Sequence, residues 1–518
     1  MKSELDATAG EGALAPSLSV NKNVGAVVNL VAAYAAVFAV FWYIQSATAG
    51  IVDPDGYYHI RWSWLLRQTL SEGKLPSFVW LPLTILNEQA YVDHHFLFHL
   101  FQIPFTFTSD LAAGAKFSAV VYGALAVFSC FAFLIWARVS YPWAWLLVLL
   151  ACSGPFLFRM SLPRAPSVTV VTLVLGLWLL WTRRTVWLGA LAFLLVWMYS
   201  LFPLVSVLAC AWAVGVWLEE RRVEWKLVAA TLVGIGLGLV INPYFPRNIA
   251  LFANHVGMKV ASEYEISVGN EWYPYESWYL LVSCAVAWVA QVVGWLTTRF
   301  ERREGLARET CLLLFSSFLL VLTMKSRRFV EYWPAFAVLY AAFALEPYFR
   351  RYTWEAIAEG WPRRLTVAAL CLLIAVLSGV LVSNIVGTRQ SVAGESDPNI
   401  FQGAARWLTD NTPEGARVFN TDWDRFPMLF FHNTHNVYTS GLDPTYLLYA
   451  DPELSGIYVD ITLGRTPDPA HLIRDRFGAR YAFTTASGHE DFIRNATTDD
   501  HMKIVYEDEH AVVLELNE

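Results

Sequence analysis

An α-helical, polytopic membrane protein with a C-terminal extracytoplasmic α/β domain is the fold class this sequence predicts, and three observations predict it. Of the 518 residues, 56% are hydrophobic and only 16% charged, well below the roughly 25% charged of soluble domains. The apolar residues gather into runs, most of them near the roughly 17–25 residues that cross a bilayer as helix. After Val386 the composition turns polar, and helical and strand-like patterns alternate to the end.

The first stretch, Met1 to about Val24, is rich in Ala, Gly and Ser and reads as a disordered cytoplasmic tail. No small-residue cleavage site stands out beside the first apolar run, which reads as an uncleaved anchor. Apolar runs follow near 25–50, 112–138, 142–158, 166–182, 186–202, 203–218, 226–242, 276–297, 308–324, 330–346 and 365–387. They predict about eleven to thirteen spans. His94 to Phe107 is apolar and aromatic but only about 14 residues long, which favours an interfacial, juxtamembrane helix. On that reading Arg183-Arg184, Arg221-Arg222, Arg299 to Arg303 and Arg350-Arg351 with Arg363-Arg364 all fall on one side. Basic loops mark the cytoplasm, which puts the N-terminus there. The opposite face collects 51–111, 159–165, 243–275, 325–329 and 388–518, and with them nearly all the unusual polar residues.

In the C-terminal domain, Asn399 to Leu408 and Ala470 to Phe477 read as helices. Ala416 to Phe419, Asn436 to Thr439, Arg480 to Thr484 and Ala511 to Leu516 read as strands, an alternation that argues for a layered α/β unit. A net charge of -7 offers nothing to nucleic acid. The 23 Trp and 23 Tyr suit rings held at bilayer interfaces. Cys130, Cys152, Cys210, Cys284, Cys311 and Cys371 lie in apolar runs without metal-ligand spacing and read as core hydrophobes.

Three groups carry chemistry. Asp53 and Asp55 sit among aromatics just past the first span, where carboxylates are costly to hold. They fit a cation site or a proton-handling site, or else a turn and helix cap before Tyr57 to Leu70. Asp93-His94-His95 closes the same loop. With Asp53 it forms a candidate divalent-metal set or a phosphate-positioning patch, or else caps the juxtamembrane helix. His59 and His99 lie nearby in sequence. Arg159, Arg164, Lys325, Arg327 and Arg328 run against the positive-inside bias. They fit a lipid phosphate, to which Arg offers a planar fork, or else snorkel to headgroups.

Four segments, in order, resemble the catalytic subunit of oligosaccharyltransferase and its bacterial and archaeal relatives. These are C-class glycosyltransferases using a lipid-phosphate-linked sugar donor. Asp53-Pro54 through Arg61 is similar to the family's Asp-Pro-aromatic-aromatic-x-x-Arg string, with Asp55-Gly56 between the proline and the aromatic pair. Ile266 to Trp272 is similar to its Ser-Val-Ser-Glu type motif. Arg327 or Arg328, ahead of Pro334, matches its later Arg. Asp422-Trp423-Asp424-Arg425-Phe426 sits where the family carries Trp-Trp-Asp-Tyr-Gly. The resemblance implies Asp53 and Asp55 as base or metal ligands. It implies Glu271 as the group completing acceptor activation, with Glu263 and Glu265 as fallbacks. Arginines would hold phosphate, and Trp423 and Asp424 would contact the acceptor or the external loop. Asp422 or Asp424 would equally suit a helix cap. It implies a divalent cation, Mg or Mn. The family's second-loop acidic pair is absent here; Arg159 and Arg164 stand in that region instead, and the implied metal cage is incomplete.

The resulting expectation is transfer of a sugar or oligosaccharide from a polyprenyl-phosphate-linked donor to an extracytoplasmic protein, glycan or lipid acceptor, in a prokaryotic plasma membrane. The rivals are a single-sugar transferase acting on lipid or surface glycan, a transporter or flippase of lipid-linked sugar, and an inactive scaffold. Transporters place ionisable groups mid-membrane and show paired halves; here the acids lie at span ends.

Overall fold

The computed structural model describes residues 17–261, 266–351, 363–395 and 397–517. Each apolar run forms helix. Val27–Gln45, Leu111–Trp136, Leu306–Lys325 and Arg364–Ala393 are long and apolar enough to cross a bilayer, and Ala165–Trp181, Thr185–Met198 and Trp225–Val240 are shorter apolar helices. The helix at the N-terminal end starts at Ser17, inside the stretch read as a tail; residues 1–16 lie outside the described residues.

Two of the expected spans are not straight. Pro142–Ala151 meets Gly154–Met160 at 89°, and Ser277–Ser283 meets Ala285–Thr297 at 83°. At the first bend Ser153 is extended and its side chain accepts from Phe156 N. Pro155, which has no N–H, then opens the new helix. His94 to Phe107 becomes a short helix, Phe96–Gln102, running into a 3-10 turn, Ile103–Phe107. Arg67 ties that turn to the helix Asp55–Leu70 by donating to Thr106 O at 2.7 Å.

The basic loops meet at one end of the bundle. Arg183 pairs with Glu220 and, at 3.4 Å, with Glu224. Ala307 N donates to Glu219 at 2.6 Å, and Arg299 lies over the Tyr348 ring. The helix Ala165–Trp181 has 17 residues, about 26 Å at the helical rise per residue. It separates Arg183 at that end from Arg164 at the other.

The C-terminal segment forms a five-stranded sheet: β1 Arg417–Asn420, β2 Val437–Tyr438, β3 Tyr481–Thr485, β4 Met502–Glu507 and β5 Ala511–Leu516. The order is β2-β1-β3-β5-β4. β1 is parallel to β2 and β3, whereas β5 is antiparallel to β3 and β4. Strand β4 was not expected from the sequence, although Met502 to Glu507 alternates. The helix expected after Asp424 is Phe426–His432, whereas helices at Thr445–Ala450, Pro452–Thr462 and Glu490–Thr498 were not expected from the sequence.

This sheet unit shares a hydrophobic core with the segment after the first span. Tyr57, Tyr58, Ile60, Trp62, Phe78 and Trp80 pack with Phe426, Leu429, Phe430 and Tyr438. Trp80 Nε1 donates to Thr434 O at 2.8 Å and Tyr438 N donates to Trp80 O at 2.8 Å. The helix Asp55–Leu70, which begins at a candidate acid, is thereby clamped from both sides.

Candidate active site

Four segments far apart in sequence build one cluster. Asp53 precedes the helix Asp55–Leu70 in a left-handed conformation, φ 79°, which is unfavourable for a residue with a Cβ and persists where surroundings enforce it. Its Oδ1 accepts from Asp55 N at 3.2 Å, and its Oδ2 accepts from Arg164 Nη1 at 2.6 Å. The turn role and the ion-pair role therefore coexist, one on each oxygen. Gly56 makes the approach possible. A Cβ there would lie 2.5 Å from Ile51 Cγ2 and 2.6 Å from Pro163 Cγ, so only glycine lets this helix start against the residue before Arg164.

Arg164 is the hub. Besides Asp53 it pairs with Asp55 Oδ2 at 3.0 Å and Glu271 Oε2 at 3.2 Å, with its side chain 11% exposed. Glu271 is the second hub. It accepts from Arg159 Nη2 at 2.8 Å and pairs with Arg328 Nη1 at 3.3 Å. Burial alone would lift the Glu271 carboxyl, but Arg164, Arg328 and Arg159 hold it well below the usual carboxylate range. Asp55 goes the other way. Burial lifts it most, Arg164 pulls it back, Asp53 and Glu271 lift it again, and its carboxyl is pushed up to about 7.

Two members were not foreseen. Glu331 is fully buried; its Oε1 accepts from Arg159 Nε at 2.7 Å and also from Nη2. The signal was present: an acid inside an apolar run must find a partner. Tyr199 accepts from Arg328 Nε at 2.9 Å and Nη2 at 2.6 Å. Nothing in the sequence distinguishes it from other interfacial tyrosines. Arg328 also lies 4.7 Å over the Trp272 ring.

Other expected residues lie elsewhere. Lys325 is exposed at the end of its helix, with no ion pair into the cluster among the described residues. Arg327 instead holds the 270s loop: its N donates to Tyr273 O, its Nε donates to Pro274 O at 3.2 Å, and it lies over Tyr275. Glu263 and Glu265 lie outside the described residues. Trp423 and Asp424 occupy the expected connection between a strand and a helix. Trp423 Cη2 is 3.8 Å from where a Cβ on Gly269 would be, so it touches the external-type loop two residues from Glu271. The helix Phe426–His432 has no side-chain cap, so neither Asp422 nor Asp424 acts as one. Asp422 is taken by His489 at 2.8 Å and Thr485 at 3.1 Å.

Among the described residues the candidate metal set of Asp53, Asp93, His94 and His95 does not assemble. Buried Asp93 accepts from Trp62 Nε1 at 2.9 Å and pairs with His99 Nδ1 at 2.8 Å, while His99 Nε2 meets His59 Nδ1 at 2.7 Å. Burial would lift Asp93, but His99 and the bonds from His99 and Trp62 hold it below its usual value. Burial pushes His95 well below the usual imidazole range, and its ring lies 5.5 Å from Tyr199. His94 lines a small cavity of about 30 Å³ with Ser200, Asn242 and Asn248. Among the described residues no three His, Cys, Asp or Glu side chains form a group that could hold a metal. Asp53, Asp55 and Glu271 do not fit a resident divalent ion as arranged, because the Arg164 guanidinium stands among them.

No family model matches the chain, and no curated protein matches it in sequence. Its structure is similar to that of the archaeal oligosaccharyltransferase AglB from Archaeoglobus fulgidus in complex with an inhibitory peptide and a dolichol-phosphate. The TM-score is 0.62 at 13% identity, covering 88% of this chain and 69% of that one. It is also similar to ArnT from Cupriavidus metallidurans bound to undecaprenyl phosphate, with TM-score 0.57 and 17% identity, covering 95% of this chain and 98% of that one. Both are C-class glycosyltransferases, so the resemblance drawn from the four motifs holds at the level of fold.

Proposed function

We propose that the chain is a membrane glycosyltransferase that moves a sugar or oligosaccharide from a polyprenyl-phosphate-linked donor to an acceptor on the extracytoplasmic face. The observation that carries this reading is the buried cluster of Arg159, Arg164 and Arg328 interleaved with Asp53, Asp55 and Glu271, at the end of the bundle away from the basic loops. Transfer requires a proton acceptor, a stabilised leaving phosphate and a site shielded from water. Asp55 suits the first role: its carboxyl titrates near neutrality, and its side chain keeps 30% exposure. Asp53 has both oxygens engaged and positions Arg164. The acceptor X–H gives its proton to Asp55 as X bonds to the anomeric carbon. The bond from that carbon to the phosphate oxygen breaks, and its electron pair leaves with the lipid phosphate. Arg328, oriented by Tyr199 and Trp272, faces that developing charge, with Arg164 beside it. Trp423, against Gly269, shapes the acceptor side.

A single-sugar transferase is the second reading, and the departure of Asp422-Trp423-Asp424-Arg425-Phe426 from the Trp-Trp-Asp-Tyr-Gly motif supports it. A prokaryotic plasma membrane is the proposed setting, and the gathering of basic loops at one end supports a cytoplasmic N-terminus. The test supplies membranes with radiolabelled polyprenyl-linked sugars and compares wild type with Asp53→Asn. Transfer that disappears in the variant supports the reading, and the labelled product names the acceptor. Label that stays on lipid but crosses the bilayer in both proteins replaces it with a transporter.

A further inference from the structure

We propose that Arg164 is itself the cation around which this site is built, so that transfer proceeds without a divalent ion, and that deleting its guanidinium creates a divalent-cation site. The inference rests on the reading of this cluster as the transfer site. Three carboxylates from two segments converge on one guanidinium: Asp53 at 2.6 Å, Asp55 at 3.0 Å and Glu271 at 3.2 Å. Asp53 and Glu271 meet Nη1 and Asp55 meets Nη2; carboxylates are the donors that hard divalent cations take, and here a guanidinium stands among them and holds them apart.

Both oxygens of Asp53 and of Glu271 are already engaged. Asp53 Oδ1 holds Asp55 N, Glu271 Oε2 holds both Arg159 and Arg164, and Glu271 Oε1 faces Arg328. Counting Asp53, Asp55, Glu271 and Glu331 against Arg159, Arg164 and Arg328 leaves one net negative charge when every carboxyl is ionised. A divalent ion added to that set would reverse the sign and crowd a guanidinium that is nearly out of solvent. Arg164 is also fixed by its backbone: it is extended, with Pro163 before it and the helix Ala165–Trp181 after it, and Gly56 closes against that proline. A guanidinium held this way cannot be displaced by ion concentration, as a bound metal can by a chelator.

The substitution Arg164→Ala leaves three facing carboxylates with their cation gone. The experiment measures Mn²⁺ binding by electron paramagnetic resonance on purified full-length protein in detergent, alongside metal content after dialysis. The expected result is no retained Mn²⁺ in wild type and about one Mn²⁺ per chain in Arg164→Ala. The double variant Asp53→Asn/Arg164→Ala should lose that gain. Arg164→Gln serves the same purpose if the alanine variant fails to fold. Wild-type protein that retains one divalent ion per chain, or variants that fold and gain no Mn²⁺, would overturn the proposal. These readouts need no substrate: an absence of transfer by wild type refutes the function proposed above and leaves the binding result standing. Where transfer is observed, it should survive EDTA in wild type; loss in EDTA with recovery on Mn²⁺ or Mg²⁺ also overturns the proposal.

Discussion

Arg159→Met tests whether the cluster holds the bundle together as well as serving the chemistry. Glu331 is fully buried, its Oε1 depends on Arg159, and its Oε2 has no partner among the described residues. Methionine fills most of the arginine's volume but supplies no donor, so the carboxylate loses both its hydrogen bonds. Breaking a buried ion pair from one side costs about 3–5 kcal/mol. Glu331→Gln is the milder change, because Arg159 keeps Glu271 at 2.8 Å; about 1–2 kcal/mol is expected for one lost charged hydrogen bond. The double variant removes the stranded carboxylate and should be more stable than Arg159→Met alone. The assay is an unfolding titration in dodecylmaltoside with rising SDS, followed by tryptophan fluorescence and completed as a double-mutant cycle. Coupling near zero, or an Arg159→Met protein as stable as wild type, would refute the dependence of Glu331 on Arg159.

The remaining predictions concern the chemistry. With Asp55 as proton acceptor, kcat/KM should fall about tenfold per pH unit below about 7, and Asp55→Asn should abolish transfer at every pH. Because the folded carboxyl lies above its ordinary value, its contribution to stability is full below about pH 4 and is lost as pH rises through about 7; unfolding titrations at pH 5 and 8 check the opposite slope. Gly56→Ala should cost about 1–3 kcal/mol through overpacking and lower transfer further by moving Asp55 off Arg164, measured as a fall in kcat in the protein that remains folded. Tyr199→Phe removes the acceptor of two Arg328 hydrogen bonds; a kcat loss of about tenfold is expected, from about 1.5 kcal/mol of lost orientation, and an unchanged rate would separate Arg328 from the leaving phosphate.

Hydropathy is a property of consecutive residues, and for that reason the helices were legible before the structure. Every run from 25–50 to 365–387 forms helix; Asp53, Arg159, Arg164 and Arg328 stand out by their positions at the ends of those runs, and Glu271 through the resemblance of Ile266 to Trp272 to the family's loop motif. The strands β1, β2, β3 and β5 were legible through alternation and apolar runs, whereas short helices such as Thr445–Ala450 carry too few turns to show a period. Partner choice was not legible. Arg164 and Asp53 are 111 residues apart, and no local pattern says that they meet, or that Asp93 turns to His99 instead of joining Asp53. That was decided by packing: Gly56 closing on Pro163, the sheet unit clamping the helix Asp55–Leu70, and the buried Glu331 drawing Arg159 beneath Glu271. The sequence by itself determined which charges stand at the ends of apolar runs, because burying such a run strands its polar neighbours there. Only the tertiary structure decided which charge answers which, because in a low-dielectric cluster each ion is placed by the sum of all its neighbours.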